Sequence, residues 1–255
     1  MEVPMELDTL LFLAVFGFIA SFIDAAAGGG GLISIPALMW TGMSPVTVLG
    51  TNKVAASMGA VSSFITFVRA GKMDTALMKK LCPLSLIGSL AGVLLVQHIS
   101  SEFLRPLIVV MLILVFLYTV FKRDWGKEAR PQQLTGKKML LCLLMAFAMG
   151  FYDGFFGPGT GSFILFAFIM LGFDFIGATA NAKAMNFASN IAAAVLFSYF
   201  GFVDFSYAIP MGIFMIFGAI AGSQVAITKG VSYIRPMFII ITAILIGKQL
   251  LTLIK

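Results

Sequence analysis

The chain has 255 residues, 60% of them hydrophobic and only 11% charged, and its mean hydropathy is +1.04. Soluble domains carry about 25% charged residues, so this composition excludes a soluble enzyme and a disordered chain alike. The formal charge of +6 sits in polar loops between apolar runs, which fits a membrane-orientation signal better than a nucleic-acid surface.

The amino terminus holds Glu2, Glu6 and Asp8 and no basic residue. A secretory leader begins with a positive region, so the apolar stretch that follows reads as a permanent span. Charge, glycine and proline then divide the chain into ten apolar segments: 9–27, 31–41, 46–68, 76–97, 104–121, 138–153, 160–173, 175–200, 205–228 and 234–254. A spanning helix needs about 20 residues. Segments 31–41 and 160–173 fall short and each follows a glycine cluster, so they are half-helices, re-entrant segments or tilted short spans. The expected fold is an all-α polytopic membrane protein with about 8–10 transmembrane or re-entrant helices.

The chain also repeats itself. Asp24, Gly28, Gly30 and Asn52 recur 129 residues later as Asp153, Gly157, Gly159 and Asn181. Gly71, Asp74, Gly88, Gly92, Arg105 and Pro106 recur 130 residues later as Gly201, Asp204, Gly218, Gly222, Arg235 and Pro236. Two transmembrane repeats, 9–121 and 138–254, joined by a basic linker 122–137, are the predicted plan. Lysine and arginine mark cytoplasmic loops. The region 122–138 holds Lys122, Arg123, Lys127, Arg130, Lys137 and Lys138, and the loop 69–80 holds Arg69, Lys72, Lys79 and Lys80. Five crossings per half satisfy these loops and invert the second half relative to the first. Four crossings would leave the repeats parallel and place Lys229 and Arg235 outside. Inverted repeats with glycine-interrupted short segments point to a secondary transporter with its site between the halves.

The first polar constellation is Asp24 followed by Gly28, Gly29, Gly30 and Gly31, mirrored by Asp153 followed by Gly157, Gly159, Thr160 and Gly161. Glycine runs break a helix. The short helix that follows starts with unsatisfied N–H groups and the positive end of its dipole, which suit an anion. Scattered glycines such as Gly88, Gly92, Gly218 and Gly222 read instead as close helix packing in lipid. Asp24 and Asp153 lie near the carboxyl ends of their segments, where a carboxylate is costly to bury unless paired or protonated. They are proton carriers, partners of a lysine, or groups that reach interfacial water.

The second constellation is Thr51, Asn52 and Lys53, with Thr179, Asn181, Lys183, Asn186 and Asn190 in the other half. Lys53 and Lys183 each stand alone in an otherwise apolar span, a functional signal unless they snorkel to the interface. A cation beside helix amino termini suits a sulfonate, sulfite or carboxylate, and asparagine amides add directional hydrogen bonds. No metal or cofactor is expected: Cys82 and Cys142 lack metal spacing, read as free thiols, and leave His98 as the single histidine. The run from Gly157 to Ser162 is not the dinucleotide fingerprint, and there is no Gly-x-Ser-x-Gly elbow, so a membrane enzyme has no nucleophile motif.

At these residues the chain resembles the TauE/SafE sulfite exporter family. The match rests on Asp24-Ala-Ala-Ala-Gly-Gly-Gly-Gly-Leu-Ile with Pro36, then Gly50-Thr51-Asn52. It continues with Gly150-Phe-Tyr-Asp153-Gly-Phe-Phe-Gly157-Pro-Gly-Thr-Gly161-Ser-Phe and the Asn181 region. The resemblance covers almost the whole chain and implies a bacterial cytoplasmic-membrane permease for sulfite, organosulfonates or related anions, coupled to the proton gradient. Lys183 sits one place later than a counterpart of Lys53 would, a departure from symmetry between the halves.

The reading of function is a secondary transporter that exports small anions (sulfite, sulfonates such as sulfoacetate, or related sulfur anions) with protons as the coupling ion. Gly28 to Gly31 and Gly157 to Gly161 bind the anion through backbone amides. Asn52, Asn181 and Asn186 orient it, Lys53 and Lys183 add charge, and Asp24 and Asp153 carry the proton. The expected partners are the anion, protons and the lipid bilayer, not nucleic acid. A carboxylate permease and an anion channel are the alternatives.

Overall fold

A computed structural model describes residues 7–121, 136–229, 240 and 243–247. Glu2 and Glu6, most of the linker 122–137 and most of the segment 234–254, with Arg235 and Pro236, lie outside the described residues. Each of the other apolar segments becomes a helix. They are α1 (Leu7–Ala27), α2 (Gly31–Met39), α3 (Pro45–Arg69), α4 (Thr75–Val96), α5 (Ser101–Phe121), α6 (Lys137–Phe155), α7 (Thr160–Met170), α8 (Phe175–Tyr199) and α9 (Phe205–Lys229).

Helix starts follow local chemistry. Pro45 opens α3 behind Ser44, whose Oγ accepts the Thr47 amide at 3.3 Å. Asp74 caps α4 by accepting the Leu77 amide at 2.9 Å. Among the described helices α1, α4, α5, α6 and α9 are long and apolar enough to cross a membrane. Their outer faces carry bare apolar side chains, such as Leu11 and Val15 on α1, Leu140 and Leu144 on α6, and Ile213 and Phe217 on α9. A lipid-facing surface accounts for them; water would not. With 9 and 11 residues, α2 and α7 reach only about half the hydrocarbon thickness.

The largest helix packings link α1 to α9, α9 to α3, α3 to α8, α8 to α4 and α4 to α6. Read from either end, the list exchanges the first helix of one half with the first of the other. Small residues set the outer pairs. A Cβ on Gly88 or Gly92 would strike the backbone carbonyl of Phe147 or Phe151, and one on Gly218 or Gly222 that of Phe18 or Phe22. Residue numbers rise together in these contacts, so α4 runs parallel to α6, and α9 parallel to α1. The central helices α3 and α8 run antiparallel. The Asp204 amide just before α9 reaches Thr51 near the start of α3, and the Asp74 amide just before α4 reaches Asn181 near the start of α8.

These two central helices, 25 residues each, bury most of the polar side chains of the interior, including Lys53, Ser57, Lys183, Asn186, Ser189 and Asn190. Cys142 is buried and Cys82 half-buried in the apolar cluster around α4 and α6, and both are free thiols.

Candidate functional site

Two glycine loops meet in the middle of the protein. After α1 the chain turns at Gly28, whose φ of +77° is closed to most side chains and whose Cβ would collide with the backbone of Gly161 and Ser162. After α6 it turns through Gly157 and Gly159. Gly31, at the start of α2, lies so close to Pro158 that a Cβ would stand 3.0 Å from its Cα. The amino ends of α2 and α7 therefore arrive at one place, between α1, α3, α6 and α8. Among the described residues the amides of Gly161 and Ser162 have no hydrogen-bond acceptor, as expected for the first turn of a helix.

Both lysines are committed to carboxylates, and each pair crosses between the halves. Lys53 Nζ lies 2.9 Å from Asp153 Oδ1, and Lys183 Nζ lies 2.7 Å from Asp24 Oδ2. The first pair is buried, with side-chain exposures of 3% and 2%. Its other valences are met as well: Ser189 Oγ donates to Asp153 Oδ2 at 2.6 Å, and Lys53 Nζ donates to Asn190 Oδ1 at 3.3 Å. In the second pair the lysine is buried but the Asp24 side chain is 27% exposed. The remaining oxygen, Asp24 Oδ1, accepts the Gly30 amide at 3.1 Å. The four charges sum to zero, which is how ionised groups persist at this depth.

A cavity of about 480 Å³, counted with its open mouth, lies against these groups. Of the residues singled out in sequence, Asp24, Gly30, Gly31, Asn52, Lys53, Asp153, Gly157, Gly159, Gly161, Asn186 and Asn190 line it, joined by Ser21 and Ser34. Asn52 Oδ1 is buried there without a hydrogen-bond partner among the described residues. Gly28, Gly29, Thr160, Asn181 and Lys183 are not on the wall. Gly28 and Gly29 shape the turn, and Thr160 Oγ1 closes the loop by donating to Gly157 O at 2.7 Å.

The repeat register needs one correction. Matching Asn52 with Asn181 implies an offset of 129, but α3 and α8 begin 130 residues apart, at Pro45 and Phe175. Under that offset Lys53 matches Lys183, and Thr51 matches Asn181. The hydrogen bonds agree: Thr51 Oγ1 accepts the Asp204 amide at 3.0 Å, and Asn181 Oδ1 accepts the Asp74 amide at 2.9 Å. Asn181 thus holds the start of α4, and its resemblance to Asn52 is one of letters. The displacement of Lys183 by one place is the same register and leaves the two lysines equivalent.

Ser189 was not singled out by sequence, because a serine in an apolar helix is ordinary. The signal lay in its spacing: Asn186, Ser189 and Asn190 fall three and four residues apart and share one face of α8. Among the described residues no group of His, Cys, Asp and Glu is placed to hold a metal.

A family model described as sulfite exporter TauE/SafE matches residues 13–248. The chain is 39% identical over 248 residues to the probable membrane transporter protein YfcA of Escherichia coli (strain K12), covering 97% of this chain and 90% of that protein. It is 40% identical over 250 residues to a probable membrane transporter protein of Haemophilus influenzae, covering 98% and 96%. With YunE of Bacillus subtilis, another probable membrane transporter protein, identity falls to 25% over 272 residues. No solved structure matches the chain significantly.

Proposed function

Because the chain belongs to the sulfite exporter TauE/SafE family, a family of membrane transporters, we propose that it is a secondary transporter of small anions. The cargo is sulfite, a sulfonate such as sulfoacetate, or a related sulfur anion. Protons are the coupling ion, the membrane is the bacterial cytoplasmic membrane, and the word exporter in the family's description supports export as the direction. The observation that carries this reading is the crosswise pairing of two buried lysines beside two converging helix starts. Lysines compensated only by titratable carboxylates can exchange that partner for a substrate anion, and helix amino ends favour the same charge.

The repeats are inverted, as the antiparallel course of α3 and α8 supports, and the loops 69–80 and 122–138 face the cytoplasm. Ammonium groups and amides hold carboxylates as readily as sulfonates, so a carboxylate permease is the second reading. Purified protein in proteoliposomes, offered labelled sulfite, methanesulfonate, sulfoacetate and acetate, separates the two. Sulfur anions are expected to cross and to stop crossing in Asn52→Leu. That substitution removes a cavity amide whose buried oxygen has no hydrogen bond to lose. Transport of acetate alone would discard the sulfur assignment, and transport by Asn52→Leu at the wild-type rate would discard the site.

A further inference from the structure

The two ion pairs are equivalent by position but not by environment. We propose that they divide the labour: Lys53–Asp153 is a fixed structural lock, while Asp24 is the exchangeable partner that yields Lys183 to the anion only when it takes up a proton. This rests on the anion-carrier reading and deepens it, by assigning the coupling residue, the anion's counter-ion and the ratio of one proton to one anion.

Asp153 lines the cavity with Lys53, but its side chain is only 2% exposed and both its oxygens are spent, on Lys53 and on Ser189, so an incoming proton or anion has to displace those contacts. Asp24 also has both oxygens bonded, to Lys183 and to the Gly30 amide, but it differs in exposure. It lines the cavity where Lys183 does not, its side chain is 27% exposed, and it stands between the ammonium and the open space. Among the described residues its surroundings contain no second candidate. On α8 it meets Lys183, and across the cavity stand only Lys53 of α3 and Asp153 of α6, already paired. The short helices α2 and α7 carry no titratable residue, and in α9 the titratable side chain that is described is Tyr207, near the far end from Met215 of the cavity wall.

When Asp24 Oδ2 accepts a proton from solvent hydronium, its attraction for Lys183 loses the carboxylate charge, while Nζ keeps all its protons. A monovalent anion then takes the place of the carboxylate. It meets Lys183 Nζ and Gly161 of the cavity wall, at the first turn of α7; a Cβ on Gly161 would stand 3.4 Å from Nζ. The site stays neutral before and after, so one proton and one anion enter together and leave together. The coupling therefore has a sign. An inward proton gradient pulls the anion in, and export runs when the outward anion gradient exceeds the pH gradient.

The test uses methanesulfonate, which stays singly charged across the working pH range, and the full chain in proteoliposomes with a pH dye inside. The wild type is expected to acidify the lumen by one proton per anion taken up, without building a membrane potential. Binding to the wild type in detergent is expected to weaken about tenfold per pH unit once Asp24 is ionised. In Asp24→Asn, whatever anion movement remains is expected to carry no proton, and its binding to be independent of pH. Persistence of one-to-one acidification in Asp24→Asn, or pH-independent binding by the wild type, overturns the assignment even if the variant folds poorly. Failure of the wild type to move any anion overturns the carrier reading itself, a result distinct from uncoupled movement.

Discussion

Removing one charge of a buried pair leaves the other without compensation, which costs about 3–5 kcal/mol where water is excluded. Lys53 and Asp153 are 2% and 1% exposed, so Lys53→Met is expected to destabilise by about that amount. Adding Asp153→Leu should recover most of the loss, because an apolar pair of similar volume replaces a buried ion pair at little cost. Thermal unfolding in detergent reads both variants; a double variant no more stable than the single would show that the pair is not the cause. The members of this pair were legible in sequence, since a lone lysine in an apolar span and an aspartate before a glycine cluster both break the local rule. Their partners were not. Lys183 and Asp24 are 159 residues apart, and nothing local to either says which carboxylate of the two it will meet. Asn52 and Asn181 show the opposite failure, where identical letters concealed different positions in the repeat.

Helices declare themselves by where apolar runs stop, and the long ones were readable within a few residues of their ends. The two short ones were recognisable as short, yet α2 ends at Met39 and α7 at Met170, before the apolar runs themselves do. Gly42 and Gly172, both at positive φ, follow these ends. Glycines inside α4 and α9 announced close packing without naming the neighbour, which only the tertiary fold supplies. Gly218 lies against the carbonyl of Phe18, so Gly218→Ala is expected to force α9 away from α1 and to cost about 1–3 kcal/mol. Gly42, at φ +79° with open space around it, is the control. Asparagine tolerates that backbone region, and Gly42→Asn is expected to cost about 1 kcal/mol or less. Equal losses in the two variants, measured by the same unfolding assay, would refute the packing argument.

At the scale of the whole molecule, the repeat was visible in matched glycines and acids, and the basic loops suggested how the halves lie. The exposed residues Arg69, Lys72, Lys79 and Lys80 stand where α3 hands over to α4, at the opposite end of α3 from Thr51 and Asp204. With both native cysteines replaced by alanine, Lys72→Cys is expected to resist a membrane-impermeant maleimide added to intact cells, and Phe205→Cys to react. Reaction of both, or of neither, would contradict inverted halves. What sequence could not supply was the palindromic order of packing, because it depends on which outer helix each half lends to the other.

That lending has an evolutionary consequence. Each half supplies the counter-ion that makes the other half's lysine tolerable, so the two halves are not free to change independently at these four positions. A change at Lys53 is judged against Asp153 and a change at Lys183 against Asp24, never within its own copy. The surroundings of the two pairs carry no such constraint, and it is there that the pairs differ: Ser189 occupies the second oxygen of Asp153, while the Asp24 side chain stays 27% exposed.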